Sequence, residues 1–231
     1  MVTNEEQWCA PVRRPRPPVA TGIAGFAVVL VWGLITTGNT TYLHADQQVL
    51  VLLNAHHNFV FDVVGRALSV IFAPTVSTIL VVVVAVLCGL LTRSVRKGLF
   101  VGIGIGLTYL GLFVVKVVVA RPRPEALAYV VPGVVTEHGQ SYPSGHTGIA
   151  AAMVVILVLS VPKLYAKWTI AIVGGVTVVL TALSRMYVGA HYPDDVTASI
   201  VYTVTVGPAV YTLICWLDTK IPAWEHADPS S

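Results

Sequence analysis

Charge is what this chain has least of. Asp, Glu, Lys and Arg make up 11% of its 231 residues, against roughly 25% in an ordinary soluble domain. With 55% hydrophobic residues and a mean hydropathy of +0.78, there is more apolar material than a soluble core needs, and the composition points to a membrane protein. The net charge of +3 is small, and no basic patch alternates with aromatics, so nucleic acid is not an expected partner. Cysteine is scarce as well. Cys9, Cys88 and Cys215 lie far apart, the last two inside apolar runs, and they read as small buried hydrophobes that say nothing about redox compartment. A cleavable signal peptide is also missing from the expectation. The first apolar run begins near Val19 behind the proline-broken basic stretch CAPVRRPRPP, so the first helix is expected to remain as an anchor. Asn39-Thr40-Thr41 matches a glycosylation sequon, a triplet too common by chance to carry weight.

What is present is long apolar runs. A membrane helix needs about 20 mostly apolar residues, and six stretches qualify: 19–37, 72–92, 99–120, 146–161, 168–186 and 195–217. The fourth is short unless it extends to about Tyr165. None shows an amphipathic period, as expected of helices that face lipid and one another. The expected fold class is therefore all-α, a polytopic bundle of six transmembrane helices. It comprises a Pro/Arg-rich tail over 1–18, a membrane domain over 19–217 and a second tail over 218–231. Gly102 and Gly106 form a G-x-x-x-G pair that reads as close helix packing, because no strand-turn-helix context supports a nucleotide loop.

The basic residues set an orientation. Arg13, Arg14, Arg16, Arg93, Arg96, Lys97, Lys163, Lys167 and Lys220 fall on one side of this layout, nine of the fourteen Lys and Arg. The positive-inside rule makes that side, with both termini, cytoplasmic. The other five are Arg66, Lys116, Arg121, Arg123 and Arg185. Four of them gather at span ends on the opposite side, where topology does not ask for cations. Between the first two spans, Tyr42 to Arg66 mixes an apolar run with His44, Asp46, Asn54, His56, His57 and Asp62, and suits a short helix in the outer interface whose histidines are solvated or face headgroups.

Three polar clusters emerge on that outer side: Lys116 to Pro124, Tyr142-Pro143-Ser144-Gly145-His146, and the stretch SRMYVGAHYPDD from Ser184 to Asp195. One cluster alone would read as snorkelling anchors. Three together, with two histidines and several cations, read as one shared site. Lys116, Arg123 and Arg185 suit an anion, the arginines through forked donors matched to phosphate oxygens. Ser144 is placed to cap a helix whose first N–H groups form a phosphate seat, and Gly145 leaves room for close approach. Pro193 suits the first position of a helix, which puts Asp194 and Asp195 in its first turn. A carboxylate there can accept a hydrogen bond from Nδ1–H of His191 and leave Nε2 with a free lone pair for attack. His146 remains available as a proton donor.

These residues resemble a known family. Lys116 with six residues before Arg123-Pro124, then Pro143-Ser144-Gly145-His146, then Ser184-Arg185 with five residues before His191 and three more before Asp195, are similar to the three-part signature of the type 2 phosphatidic acid phosphatases. Those membrane enzymes share their site with vanadium haloperoxidases. The resemblance implies roles residue by residue. His191 attacks phosphorus to form a phosphohistidine, Asp195 holds its imidazole, and His146 protonates the leaving oxygen. Lys116, Arg123, Ser144, Gly145 and Arg185 hold the phosphoryl oxygens, and water completes the cycle with no metal or other cofactor. Arg121 and Asp194 miss the family spacing, so contact with a headgroup or a second phosphate for one and a helix-start role for the other are the expectations.

A diphosphate leaves as a phosphate with a second pKa of about 6 and needs little help, whereas a monoester needs a proton. His146 should therefore matter most for monoesters. The partners implied are a lipid phosphate and the bilayer. Polyprenyl diphosphates, phosphatidylglycerol phosphate, phosphatidic acid and polyprenyl-phosphate sugars all fit an outward-facing site. Two rivals stand beside this. A metal hydrolase could use His146, His191 and Asp194 or Asp195, although the surrounding Lys and Arg disfavour a cation. A lipid-binding or transport protein could keep the phosphate seat without turnover, although it would not need His191, Asp195 and His146 together. Glu137 and His138 in the intervening loop are selectivity candidates, and Tyr142, Tyr187 and Tyr192 are expected at headgroups or substrate.

Overall fold

Proline, serine and asparagine punctuate the apolar runs of this chain, and six of its described helices begin at such residues. The computed structural model describes residues 16–220, apart from 126, 128, 129, 133 and 135–137. Cys9, Arg13, Arg14, Glu137 and the tails before 16 and after 220 lie outside the described residues. Within them there are eight helices: α1 (Arg16–Thr37), α2 (Thr40–Ala55), α3 (Phe59–Ile71), α4 (Pro74–Leu91), α5 (Val95–Val119), α6 (Gly145–Ser160), α7 (Leu164–Tyr187) and α8 (Pro193–Asp218). Asn39, Asn58, Ser94 and Ser144 each accept a backbone N–H at a helix start, and Pro74 and Pro193 open α4 and α8 where a missing N–H costs nothing. Asn39, the sequon asparagine, thus has a capping role, taking the N–H groups of Thr41 and Tyr42.

The all-α, membrane-helix expectation holds, with one change of count. Among the described residues, five helices are long and apolar enough to cross a membrane: Pro18–Thr37, Pro74–Leu91, Val95–Val119, Leu164–Tyr187 and Pro193–Asp218. The sixth expected span is α6, which stops at Ser160 and does not extend to Tyr165. Pro162 disfavours a helical residue before it, and Val161 is extended with ψ 129°. The sixteen residues of α6 rise about 24 Å, short of the roughly 30 Å hydrocarbon core. It tolerates this because protein, not lipid, surrounds it. Ile149 to Met153 and Ile156 are buried, and α6 packs on α4, α5, α7 and α8.

Small residues set the closest approaches. Gly22 and Gly25 of α1 face Ala209 and Thr205 of α8 so tightly that no side chain fits. The expected Gly102–Gly106 pair is only half a contact. Gly98 and Gly102 face Gly89 and Ala85 of α4, while Gly106 has open space around it. Cys88 is a free thiol, but Cys215 is disulfide-bonded, which corrects its reading as a plain buried hydrophobe. Disulfide pairing is not legible from spacing in a chain of this kind. The segment between the first two spans is two helices rather than one, α2 and α3, lying against α7 and, for α2, against α1 and α8. His44, His56 and His57 are exposed there, as read.

Candidate functional site

The three polar clusters meet at one end of the bundle. α5 ends when Ala120 adopts a left-handed φ of 50°, and Arg121 to Pro124 then run out across the helix ends. Ser141 returns to this segment, its N–H bonded to Arg121 O at 2.8 Å. The turn from α7 to α8 reverses at Gly189, whose φ of 71° suits a residue without Cβ. The N–H groups of Ala190 and His191 then both return to Arg185 O, at 3.0 and 3.2 Å. Ser144 N donates to Asp195 O at 3.1 Å, and the Ser199 hydroxyl lies 2.9 and 2.8 Å from Ser144 O and Asp195 O. The starts of α6 and α8 are thereby fastened together.

His191 sits at the centre and is 1% exposed. Its Nδ1 lies 3.3 Å from Asp195 Oδ2, and its Nε2 lies 3.0 Å from Nη1 of Arg123. A guanidinium only donates, so Nε2 must carry a lone pair and Nδ1 the proton. Burial first, and then the charges of Arg123, Lys116 and Arg185, hold the His191 pKa well below the ordinary imidazole value. Both effects favour the neutral ring over the charged one. Asp195 is fully buried; Oδ2 also accepts Tyr192 N–H at 2.9 Å, and Oδ1 accepts Nη1 of Arg121 at 3.1 Å.

A cavity of about 470 Å³ opens onto this centre. Lys116, Arg123, Gly145, His146 and His191 line it together with the apolar Val70, Phe72, Pro74, Tyr109 and Phe113. A lining that mixes cations with apolar side chains suits a phosphate attached to something greasy. Lys116 Nζ is steered by the carbonyls of Gln140 and Ser141 at 3.0 and 3.2 Å. Ser144, Arg185 and Asp195 lie behind the lining. Ser144 is buried as the cap of α6, and the buried Arg185 donates to the Ser69 hydroxyl. His138 is exposed on the cavity rim. Among the described residues, no group of three His, Cys, Asp or Glu is placed to hold a metal ion.

Some site residues were invisible in the sequence. Ser69, in the last turn of α3, accepts from Arg185 through its hydroxyl and from His146 Nε2 through its carbonyl, at 3.1 Å. That carbonyl is free of the helix because Ala73 N turns to Val70 O and residue 74 is proline. Asp46 accepts Nη2 of Arg121 at 2.8 Å. Arg121 is fully buried between Asp46 and Asp195, with its guanidinium 4.3 Å from the Tyr192 ring centre, so the expected headgroup contact is corrected. The three tyrosines are structural too, not a headgroup belt. Tyr142 OH donates to Val29 O at 2.6 Å, Tyr187 OH donates to Asp62 at 2.6 Å, and Tyr192 stacks on Arg121. Burial pushes the phenol of Tyr192 above its ordinary value.

Known proteins agree with this picture. The family model of the PAP2 superfamily matches residues 97–217. An undecaprenyl-diphosphatase of Bacillus subtilis, BcrC, is 32% identical over 121 residues, 50% of this chain and 57% of that protein. An undecaprenyl-diphosphatase of Sulfolobus acidocaldarius is 36% identical over 103 residues, 41% of this chain and 48% of that protein. The chain thus spans about half the length of the curated relatives it matches. The crystal structure of a transmembrane PAP2-type phosphatidylglycerolphosphate phosphatase from Bacillus subtilis superposes with a TM-score of 0.66 at 24% identity. It covers 86% of this chain and 98% of that one, which shows a shared fold.

Proposed function

The chain belongs to the PAP2 superfamily, and from that premise we propose that it is a membrane lipid phosphatase acting through a phosphohistidine on His191. The observation that carries the reading is the paired engagement of His191, with Nδ1 toward Asp195 and Nε2 toward Arg123, on a cavity lined by both cationic and apolar residues. The Nε2 lone pair attacks phosphorus while the bond to the lipid oxygen breaks, and His146 gives that oxygen its proton. Water then attacks the phosphohistidine while His146 takes a proton from it, so the P–N bond breaks, phosphate is released, and Nε2 and the acid form of His146 are restored. Lys116, Arg123 and the N–H groups at the start of α6 hold the phosphoryl oxygens, with Arg185 behind them. Positioning and fixed charge supply most of the acceleration in such a transfer. The cations that line the cavity repel a metal ion, which supports a metal-independent reaction.

A polyprenyl diphosphate is the favoured substrate, because both sequence relatives carry the name undecaprenyl-diphosphatase. Phosphatidylglycerol phosphate and phosphatidic acid are the next candidates. The excess of Lys and Arg at the opposite helix ends supports an extracytoplasmic site with cytoplasmic termini. The test is phosphate release by purified protein from a panel of these lipids, with His191→Ala as the blank. Turnover that survives EDTA, is blocked by vanadate and leaves label on His191 supports the reading. Loss with EDTA, restored by zinc or magnesium, sinks it.

A further inference from the structure

Asp195 is the aiming group in the proposed mechanism, yet what aims Asp195 includes a residue far outside the three motifs. Asp46 lies on α2, on the same helical face as the buried Leu50 and Asn54, which repeat at intervals of four. That register turns it into the protein, where only 13% of its side chain remains exposed. It accepts Nη2 of Arg121 at 2.8 Å, and Nη1 of the same guanidinium reaches Asp195 Oδ1 at 3.1 Å. The Arg121 side chain is 0% exposed, and the Tyr192 ring covers its face at 4.3 Å. A guanidinium is a rigid fork, so fixing one prong fixes the direction of the other. A carboxylate, an arginine and a second carboxylate thus run in line from α2 to the imidazole of His191. Asp194, 3.9 Å from Nη1, is an alternative partner that would pull Arg121 aside if Asp46 let go.

We infer that Asp46 is a positioning residue for His191, acting through Arg121 and Asp195. It touches neither the cavity nor the reacting atoms. It anchors the far prong of Arg121 and balances its charge, so that Asp195 keeps one oxygen on Arg121 and the other on His191. The inference rests on His191 being the nucleophile, and it adds to that reading a link between α2 and the reacting imidazole. Removing the anchor should misplace the ring without changing what the cavity offers to substrate, so turnover should fall while KM holds.

The test uses the full chain in detergent or liposomes with Asp46→Asn, Arg121→Lys, the double variant, and Gln48→Ala on the exposed side of α2 as control. Asp46→Asn should lower kcat about tenfold, since small misplacements of a reacting group carry penalties of this order. KM should stay near wild type, and the fall in kcat should exceed what any lowering of the thermal midpoint explains. In the Arg121→Lys background, where a single ammonium cannot fork to both carboxylates, the same change should add less than about twofold. A second readout needs no turnover. Carbethoxylation of His191 by diethylpyrocarbonate, followed by peptide mass spectrometry, should quicken in Asp46→Asn while that of the exposed His56 does not. Unchanged kcat and unchanged His191 labelling would overturn the inference. So would losses that add fully in the double variant, or that track a fall in thermal midpoint. If wild type releases no phosphate from any lipid, the functional reading fails instead, and the labelling still decides whether Asp46 positions His191.

Discussion

Arg96 and Arg121 bracket α5, one in its first turn and one just past its end, and each is paired with aspartate. Arg96 donates from Nε to Asp218 Oδ1 at 2.6 Å, with 46% of its side chain exposed. Arg121 bridges Asp46 and Asp195 with no exposure at all. The same ion chemistry has different consequences in the two places. An exposed pair is solvated whether or not it forms, and is worth about 0–1 kcal/mol. Breaking a buried pair strands a charge and costs about 3–5 kcal/mol. One end of the bundle therefore holds a solvated cation that ties α5 to α8. The other holds cations that are part of a preorganised site.

The harshest way to break this contrast is Arg121→Leu, which leaves Asp46 and Asp195 facing each other without a cation. It should destabilise the protein by about 3–5 kcal/mol, read as a lowered denaturation midpoint in detergent, and turnover should fall further than stability explains. A change below about 1 kcal/mol would place Arg121 with the exposed pairs.

Next comes His146→Ala. On the proposed mechanism, it should cut monoester hydrolysis about a hundredfold or more and diphosphate hydrolysis far less, because a leaving phosphate needs little protonation. Equal losses on a phosphatidic acid and a polyprenyl diphosphate would remove the acid role from His146. The Ser69 carbonyl, which takes the His146 Nε2 proton, would then be a structural cap only.

The charges around His191 give a third prediction. Burial and the neighbouring cations lower its pKa, so the neutral ring persists to more acid pH than in a free imidazole. Protonation removes the Nε2 lone pair, so kcat/KM should fall as pH drops, with the limb below about 6.5. The unfolded chain takes up that proton more readily, so the stability of the folded form also declines as pH falls through the same window. Substrates with different phosphate pKa values should share this limb if it belongs to the enzyme. A limb that moves with substrate assigns it to the phosphate.

How much of this was legible in the sequence follows from distance along the chain. His191 and Asp195 are four residues apart at a helix start marked by proline, so their meeting is a local matter of turn and helix geometry. Ser144 announces a helix start for the same reason. The partners of Arg121 and Arg185 carry no such signal. Asp46 lies 75 residues from Arg121, and Ser69 lies 116 residues from Arg185. Neither is distinguishable by type or spacing from the solvated polar residues around it. Burial, too, is hard to see in an apolar chain. Tyr142, Tyr187 and Tyr192 look like headgroup anchors until their hydroxyl partners and the Arg121 stack are seen. α6 reads as a short span because hydropathy does not tell lipid from protein around a helix.

The smallest expected effect is at the other end, and it sharpens the comparison by what should not happen. Arg96→Gln removes the charge that meets Asp218 and the cation 5.8 Å above the Phe100 ring, but leaves a long polar side chain at an exposed helix start. Asp218 keeps 20% of its side chain exposed, so water can take over its oxygens. Stability should fall by less than about 1 kcal/mol, and the loss should vanish in high salt, where exposed pairs are screened. Turnover should stay within about twofold, because nothing at this end touches the cavity, whereas Arg121→Leu should keep its penalty at every salt concentration, as buried pairs are screened much less. Measuring both variants across salt separates the two regions directly. An Arg96→Gln penalty that persists in high salt would show that the pair at the α5 start is sheltered like the one at its end, and would overturn the division drawn between them.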